Sequence, residues 1–205
     1  MNPARKYLAI IFLLLAFSGG GVFMYYALNE TRQQPELATI LPFTKVLPEF
    51  ALVDQTGATF TRADLHGKWH VLFFGFTHCP DICPATLQQL AISRARLAEE
   101  GVAFPQIVLI SVDPERDTPD VMASYVGAFG ANIKGVTGDI DEIRKLTSDL
   151  GIYFEKVGDS GGDYSVDHSA AVLVIDASAR WHALFSAPHS VDAFVRDLPI
   201  LTGES

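Results

Sequence analysis

Short apolar runs alternate along the chain with segments whose apolar residues recur at helical spacing. The runs 69–76 (WHVLFFGF) and 106–113 (QIVLISVD) are apolar almost throughout, which is typical of strands buried on both faces. Further apolar runs at 152–157, 170–176 and 181–187, with a turn-rich stretch at 158–163, suggest a hairpin. The alternation predicts an α/β fold, a central sheet flanked by helices.

Four helices are predicted between and after these runs: 84–100, a helix that begins at Pro119, 140–150, and 191–198. Thr118 precedes the second helix as an N-cap, with proline at its first position. Asp139 and Glu142 have the spacing of a capping box at the start of the third. Gly101 and Gly151 provide helix stops. The pattern predicts one domain from about residue 45 to residue 205.

The N-terminal segment predicts a membrane anchor over residues 1–29. Residues 7–29 carry no charge and follow Arg5 and Lys6, and as a helix they would be about 34 Å long, enough to cross a bilayer core. A cleaved signal peptide with a small-residue site at 18–20 is the alternative. The anchor is favoured because apolar and aromatic residues continue past those glycines.

Residues 30–44 lack sustained periodicity, contain Pro35 and Pro42, and are predicted to be a tether. Because basic residues stay cytoplasmic, everything after residue 30 is expected on the far side of the membrane. The chain is thus predicted to be a single-pass inner-membrane protein whose C-terminal domain faces the periplasm or an equivalent extracytoplasmic space.

Charge and motif content exclude several functional classes. The formal net charge is −9, which argues against binding nucleic acid or anionic lipid headgroups. The chain has no GxxxxGK[ST], GxSxG or HExxH sequence, so nucleotide, hydrolase and zinc-protease functions lack support. With three methionines, the chain is not a methionine-rich copper carrier.

The chemistry is expected at Cys79 and Cys83, the two cysteines of the chain. They lie between a buried strand and a helix start, where backbone N–H groups and the helix dipole favour thiolate. A disulfide between them would close too small a loop to staple the fold. Two convergent thiolates form a soft site suited to Cu(I). The alternative, two cysteines serving as small apolar side chains, is disfavoured by Pro80 and Asp81 between them.

Of six histidines, His168 is the candidate third ligand. It lies in a polar loop that feeds an apolar strand, with Asp167 beside it as a candidate orienting acceptor. His78 is adjacent to Cys79 and could tune it electrostatically, although adjacent side chains usually point apart. The remaining four are predicted to be structural (His70) or on the surface (His66, His182 and His189). From the residues alone, the ligand role of His168 stays open.

Three separated motifs carry a family resemblance: GFTHCPDICPATL (75–87), SVDPERDTP (111–119) and DHSAAVLVID (167–176). In this order, after an N-terminal membrane segment, they resemble the Sco/SenC family of thioredoxin-fold copper proteins that assist cytochrome c oxidase assembly. The resemblance spans about residues 45–200. It implies that Cys79, Cys83 and His168 bind copper.

The resemblance further implies a metallochaperone rather than an enzyme. Its cargo would be Cu(I), with Cu(II) held more weakly, and its acceptor the CuA domain of cytochrome c oxidase subunit II. A thiol reductant and other copper chaperones are the further partners expected. Asp81 matches an acidic position of the family motif, either to tune the metal or as a helix N-terminal carboxylate bonded to backbone N–H groups. The 111–119 motif is expected to form a strand end and a helix cap, without chemistry.

Two other functions stay open. A thiol:disulfide oxidoreductase, which could reduce the CuA-site cysteines, would use Cys79 as nucleophile and Cys83 as resolving thiol. The three-residue spacer and the lack of proline between residues 159 and 187 count against it, because thioredoxin-like redox enzymes usually have a shorter spacer and a cis-proline in that region. The third function is a copper or redox sensor that binds a regulatory partner.

Overall fold

A computed structural model describes residues 34–130, 132–158 and 164–203. The predicted anchor at 7–29 lies outside these residues, and within them no helix is long and apolar enough to cross a membrane. The strands are β1 (Ala38–Val46), β2 (Ala51–Asp54), β3 (Thr59–Thr61), β4 (His70–Gly75), β5 (Gln106–Ser111), β6 (Ile133–Thr137), β7 (Phe154–Gly158), β8 (Tyr164–His168), β9 (Val172–Ile175) and β10 (Arg180–Phe185). The helices are α1 (Ile82–Glu99), α2 (Pro119–Gly127), α3 (Ile140–Leu150) and α4 (Val191–Thr202), with a 3₁₀ turn at Arg62–Leu65.

Eight strands of the described ranges form one mixed sheet in the order β1-β10-β9-β4-β5-β6-β2-β3. β4 is parallel to β5 and antiparallel to β9, and β5 is parallel to β6. β9 and β10 form an antiparallel hairpin. β7 and β8 form a second hairpin that is a separate two-stranded sheet. The predicted mixed sheet flanked by helices is confirmed.

β4 lies in the middle of the sheet, and all six of its residues are buried. Its continuous apolar sequence follows from this position, because neither face meets water. On its way back to β5 the chain forms α1, which packs against α4, and the Ser93 hydroxyl lies within hydrogen-bond distance of the Val191 carbonyl. The cysteine loop therefore starts from a strand that is buried and is paired with a neighbour on each side.

Local sequence determines most helix ends. The Thr118 side chain accepts a hydrogen bond from the Val121 N–H, with Pro119 as the first residue of α2. The Asp139 carboxylate accepts from the N–H groups of residues 141 and 142, and α3 ends at Gly151 with φ 67°. The predicted capping box is wrong in its second half, because the Glu142 carboxylate accepts from the Ala51 N–H instead.

The structure corrects the predicted tether, because β1 occupies residues 38–46 and pairs antiparallel with β10. Its start is held by the buried carboxylate of Asp197 on α4. This carboxylate accepts from the N–H groups of Glu36, Leu37 and Ala38, at 3.3, 2.8 and 2.8 Å. Burial raises the pKa of Asp197, but hydrogen bonds from Arg196 and these amides lower it more, so the pKa lies below its usual value. A side chain 160 positions later in the sequence thus holds the start of β1, although the segment itself shows no periodicity.

We expect Asp197→Asn to lower the free energy of unfolding by about 1–3 kcal/mol at neutral pH, because one of the two oxygens that accept these N–H groups becomes an NH2 donor and the negative charge is lost. A carboxyl whose pKa is depressed on folding stabilises the fold above its unfolded pKa, and this contribution disappears as the pH falls through the folded pKa. The difference in the free energy of unfolding between wild type and variant should therefore be largest at neutral pH and should decrease below about pH 4.

Urea unfolding across this pH range measures the effect. Asp192→Asn is the matched control, because it makes the same change on the same helix at an exposed carboxylate. Equal losses in the two variants, or a difference independent of pH, would contradict the role of Asp197.

Candidate metal centre

Cys79 and Cys83 lie where β4 gives way to α1. Cys79 is in the intervening loop and half-buried, whereas Cys83 is buried in the first turn of the helix, and both are free thiols. The Cys83 N–H donates to the Cys79 Sγ at 3.4 Å. An N–H group at a helix start otherwise lacks a partner within the helix, so the Cys79 sulfur takes the place of a capping oxygen. This arrangement favours negative charge on Cys79.

The Cys83 sulfur packs directly on the backbone of Gly75. A Cβ atom built on this glycine would lie 2.7 Å from the Cys83 Sγ, closer than real Cβ contacts occur. The absence of a side chain at the last residue of β4 therefore sets how deeply this sulfur sits. Glycine is needed here for close approach, not for an unusual backbone conformation.

His168, the last residue of β8, brings the third donor. Its Nε2 lies 3.3 Å from the Cys83 Sγ, and its Nδ1 lies 3.1 Å from the Ser169 carbonyl. Because a carbonyl only accepts, Nδ1 carries the proton in the neutral ring and Nε2 presents its lone pair to the sulfurs. The rings of Phe73 and Phe76 meet the imidazole at 73° and 88°, with centroids 6.1 and 5.8 Å away. Two aromatic rings and one backbone hydrogen bond thus orient the imidazole.

Donor atoms of Cys79, Cys83 and His168 all lie within 4.8 Å of one another. Two sulfurs and one imidazole nitrogen form a soft donor set, which fits Cu(I). Among the described residues, no further His, Cys, Asp or Glu joins this group. The residues present therefore fit a three-coordinate copper ion with an open side.

The two thiols differ strongly in acidity. The hydrogen bond from Cys83 lowers the pKa of Cys79 to about 5, helped by the N–H groups of residues 81 and 83, against an opposing contribution from burial. The pKa of Cys83 is raised, first by its contact with Cys79 and then by burial. At neutral pH the metal-free pair therefore carries one thiolate, on Cys79, and one thiol, on Cys83.

The three predicted tuning residues lie beside this cluster, outside its donor set. His78 is exposed, and its Nδ1 lies 3.0 Å from the Thr77 hydroxyl. Asp81 occupies the N-cap position of α1 but makes no side-chain capping hydrogen bond, so the predicted carboxylate cap is wrong. Asp167 is exposed, and the orienting contact expected of it is made by the Ser169 carbonyl.

The other histidines have structural surroundings. His70 is buried at the start of β4, in agreement with its prediction, and His66 is exposed. The surface prediction is wrong for His189, whose Nε2 donates to the Ala170 carbonyl at 2.6 Å and whose pKa is lowered by burial. It is wrong also for His182, which is half-buried with its ring edge-on to Trp69.

Sequence reasoning missed two buried acids in the 111–119 motif. Asp117 accepts from the N–H of Thr77 at 3.0 Å, from its hydroxyl at 2.5 Å, and from the Ser111 hydroxyl at 2.6 Å. Asp113 accepts from Arg116 and from the Tyr164 hydroxyl. The side chains of both acids are 0% exposed. The sequence signal that could have identified them is the presence of carboxylates in the loop that follows a buried strand. A buried carboxylate needs hydrogen-bond partners, and the partners here lie beside the site.

We expect Cys79 in the reduced, metal-free chain to titrate near pH 5, because its thiolate accepts hydrogen bonds from Cys83 and backbone N–H groups. Thiolate absorbance in the ultraviolet and the pH dependence of alkylation by iodoacetamide both report this value. In Cys83→Ala the pKa of Cys79 should rise, since its main stabilising hydrogen bond is lost. An apparent pKa of about 8.5 for Cys79 in the wild type would contradict the assignment.

Comparisons with known proteins agree with this site and fold. The SCO1/SenC family model matches residues 39–202. A Stutzerimonas stutzeri protein is 40% identical over 162 residues, covering 78% of each chain. The human SCO2 homolog is 37% identical over 191 residues, covering 92% of this chain and 72% of that protein. The crystal structure of Arabidopsis thaliana ScoI with copper bound has a TM-score of 0.71 at 35% identity, covering 75% of this chain and 95% of that chain.

These solved relatives support the thioredoxin-like form of the α/β fold. The match extends over β1 to α4 and includes the segments that carry Cys79, Cys83 and His168. The chain therefore belongs to the SCO1/SenC family.

Proposed function

We propose that this protein is a copper metallochaperone that holds one copper ion at Cys79, Cys83 and His168. The observation that carries the proposal is the convergence of their donor atoms within 4.8 Å. The copper-bound structure of the Arabidopsis relative supports copper as the cargo. Cu(I) suits the two sulfurs best, and Cu(II) is held more weakly.

The geometry of the site favours handing the ion on. Cys83 is buried, but Cys79 is half-buried and is preceded by the exposed His78. An acceptor thiolate can therefore approach a three-coordinate ion from the side of Cys79 and replace the protein's ligands one at a time. Copper then moves by ligand exchange, without a free ion and without change of oxidation state. During loading, Cys83 releases its proton to solvent as it becomes a thiolate ligand.

The acceptor we propose is the CuA domain of cytochrome c oxidase subunit II, during assembly of the oxidase. Membership of the SCO1/SenC family supports this assignment. We place the copper-binding domain outside the cytoplasm, attached to the inner membrane by the predicted anchor at residues 7–29. Such a location is oxidising, so the two thiols need a reductant to remain available for copper.

Thiol:disulfide exchange is the second candidate, and the low pKa of Cys79 favours it. Its thiolate would attack an acceptor disulfide to form a mixed disulfide. Cys83 would then displace the acceptor, which leaves as a dithiol. The two electrons come from Cys79 and Cys83, which become a disulfide, and a dithiol reductant returns them.

Copper titration of the reduced full-length chain tests the site. With Cu(I) added anaerobically against a chromophoric chelator, we expect one tightly bound ion. Cys79→Ala and Cys83→Ala should abolish tight binding, and His168→Ala should weaken it by at least about tenfold because two ligands remain. His66→Ala is the control, an exposed histidine outside the site. Unchanged affinity in the three ligand variants would overturn the proposed site.

Copper transfer tests the delivery role. The Cu(I)-loaded chain is mixed with a soluble, reduced CuA domain, the two are separated, and the copper in each is measured. We expect copper to move to the acceptor in the presence of a chelator that captures free Cu(I). If the metal stays on the donor while the metal-free chain reduces an oxidised CuA domain, thiol:disulfide exchange is the function instead.

A further inference from the structure

The ligands belong to two parts of the molecule that are far apart in sequence. Cys79 and Cys83 follow β4 of the large sheet, whereas His168 ends the β7–β8 hairpin, which pairs with no strand of that sheet. The pairing of β4 with β9 brings the two parts near each other, but it does not set the distance between their donor atoms. The hairpin needs other contacts to hold His168 at 3.3 Å from the Cys83 sulfur. One turn, residues 113–118 after β5, provides contacts to both parts.

On one side, this turn holds the start of the cysteine loop. The buried carboxylate of Asp117 accepts from the N–H and the hydroxyl of Thr77, two residues before Cys79. It also accepts from the Ser111 hydroxyl at the end of β5. Since hydrogen bonds to a buried carboxylate are charge-assisted, they fix the loop relative to β5.

On the other side, the same turn holds the hairpin at Tyr164, the first residue of β8. The Tyr164 hydroxyl donates to the Asp113 carboxylate at 2.7 Å, and the Arg116 guanidinium donates to the Tyr164 carbonyl at 3.0 Å. The guanidinium carbon also lies 3.8 Å from the centroid of the tyrosine ring. Asp113 and Arg116 are themselves an ion pair, with Arg116 only 21% exposed.

The contact at Tyr164 reaches His168 through the geometry of β8. Side chains alternate along a strand, so Tyr164, Val166 and His168 lie on one face. Val166 on this face is buried, whereas the alternate residues Ser165 and Asp167 are exposed. The contact of Tyr164 with residues 113–118 therefore orients this face of β8, including His168, toward the cysteines. Arg116 also lies 5.8 Å from the Phe76 ring, which meets the imidazole edge-on.

We propose that the 113–118 turn sets the position of His168 relative to the cysteines, and that Tyr164 is a positioning residue through which it does so. The functional consequence rests on the proposed copper site. The turn, which carries no ligand itself, adjusts how firmly the third ligand is held and so how tightly copper is bound. Weakening the contact would leave the two sulfurs in place and loosen only the imidazole.

Tyr164→Phe tests the proposal, since it removes the hydroxyl bond to Asp113 and keeps the ring over Arg116. We expect the Cu(I) affinity of the full-length chain to fall about fivefold to tenfold. In a His168→Ala background the same change should alter affinity by less than about twofold, because no imidazole remains to be positioned. Tyr153→Phe is the matched control, because its hydroxyl bonds to Glu155 in the same hairpin and is exposed.

A copper-free measurement separates this proposal from the proposed function. In the reduced, metal-free chain, nuclear Overhauser contacts between the His168 ring and the Phe76 ring should weaken in Tyr164→Phe and persist in Tyr153→Phe. If the wild type binds no copper, the proposed function fails while these contacts still decide the positioning role. Unchanged ring contacts in Tyr164→Phe, or equal affinity losses with and without His168, would overturn the role of Tyr164.

Discussion

The antiparallel pairing of β4 with β9 is the constraint on which the site depends. Phe73 near the end of β4 pairs with Val172 at the start of β9. The chain that leaves β4 toward the cysteines and the chain that enters β9 after His168 therefore meet at the same end of these two central strands. Residues that are 85 positions apart come within hydrogen-bond distance because two buried strands run in opposite directions. The ladder brings the segments together, and side-chain contacts then set the distances.

The asymmetry between the two thiols connects this geometry to chemistry. One sulfur is accessible and ionised, while the other is buried against Gly75 and keeps its proton until a metal takes its place. An incoming group therefore reaches the Cys79 sulfur first, and the Cys83 sulfur is the last ligand to be exchanged. This difference between the two sulfurs suits metal exchange and disulfide exchange equally well, so it does not discriminate between the two functions. The imidazole beside the sulfurs favours metal binding, because disulfide exchange needs no third donor atom.

Local patterns in the sequence predicted what depends on neighbouring residues. The buried strand β4, the caps at Thr118 and Asp139, and the hairpin of β9 and β10 each follow from a few consecutive side chains. The predictions failed where a distant partner decides. β1 pairs with the distant β10, and the Asp197 carboxylate accepts from the amide of its first residue, Ala38. The Glu142 carboxylate accepts from the Ala51 amide and not from its own helix. The buried acids of the 111–119 motif belong to this second class, since their partners are Thr77 and Tyr164.

Within the described part of the chain the large sheet is open, so it has two edges, at β1 and at β3. β3 has three residues, too few to recruit another strand firmly. β1 has nine, but its pairing with β10 is irregular between Ile40 and Lys45, and Pro42 in that interval has no amide hydrogen to offer. An incoming strand would meet this break before it could form a long ladder. The longer edge thus resists pairing with a second copy of the chain.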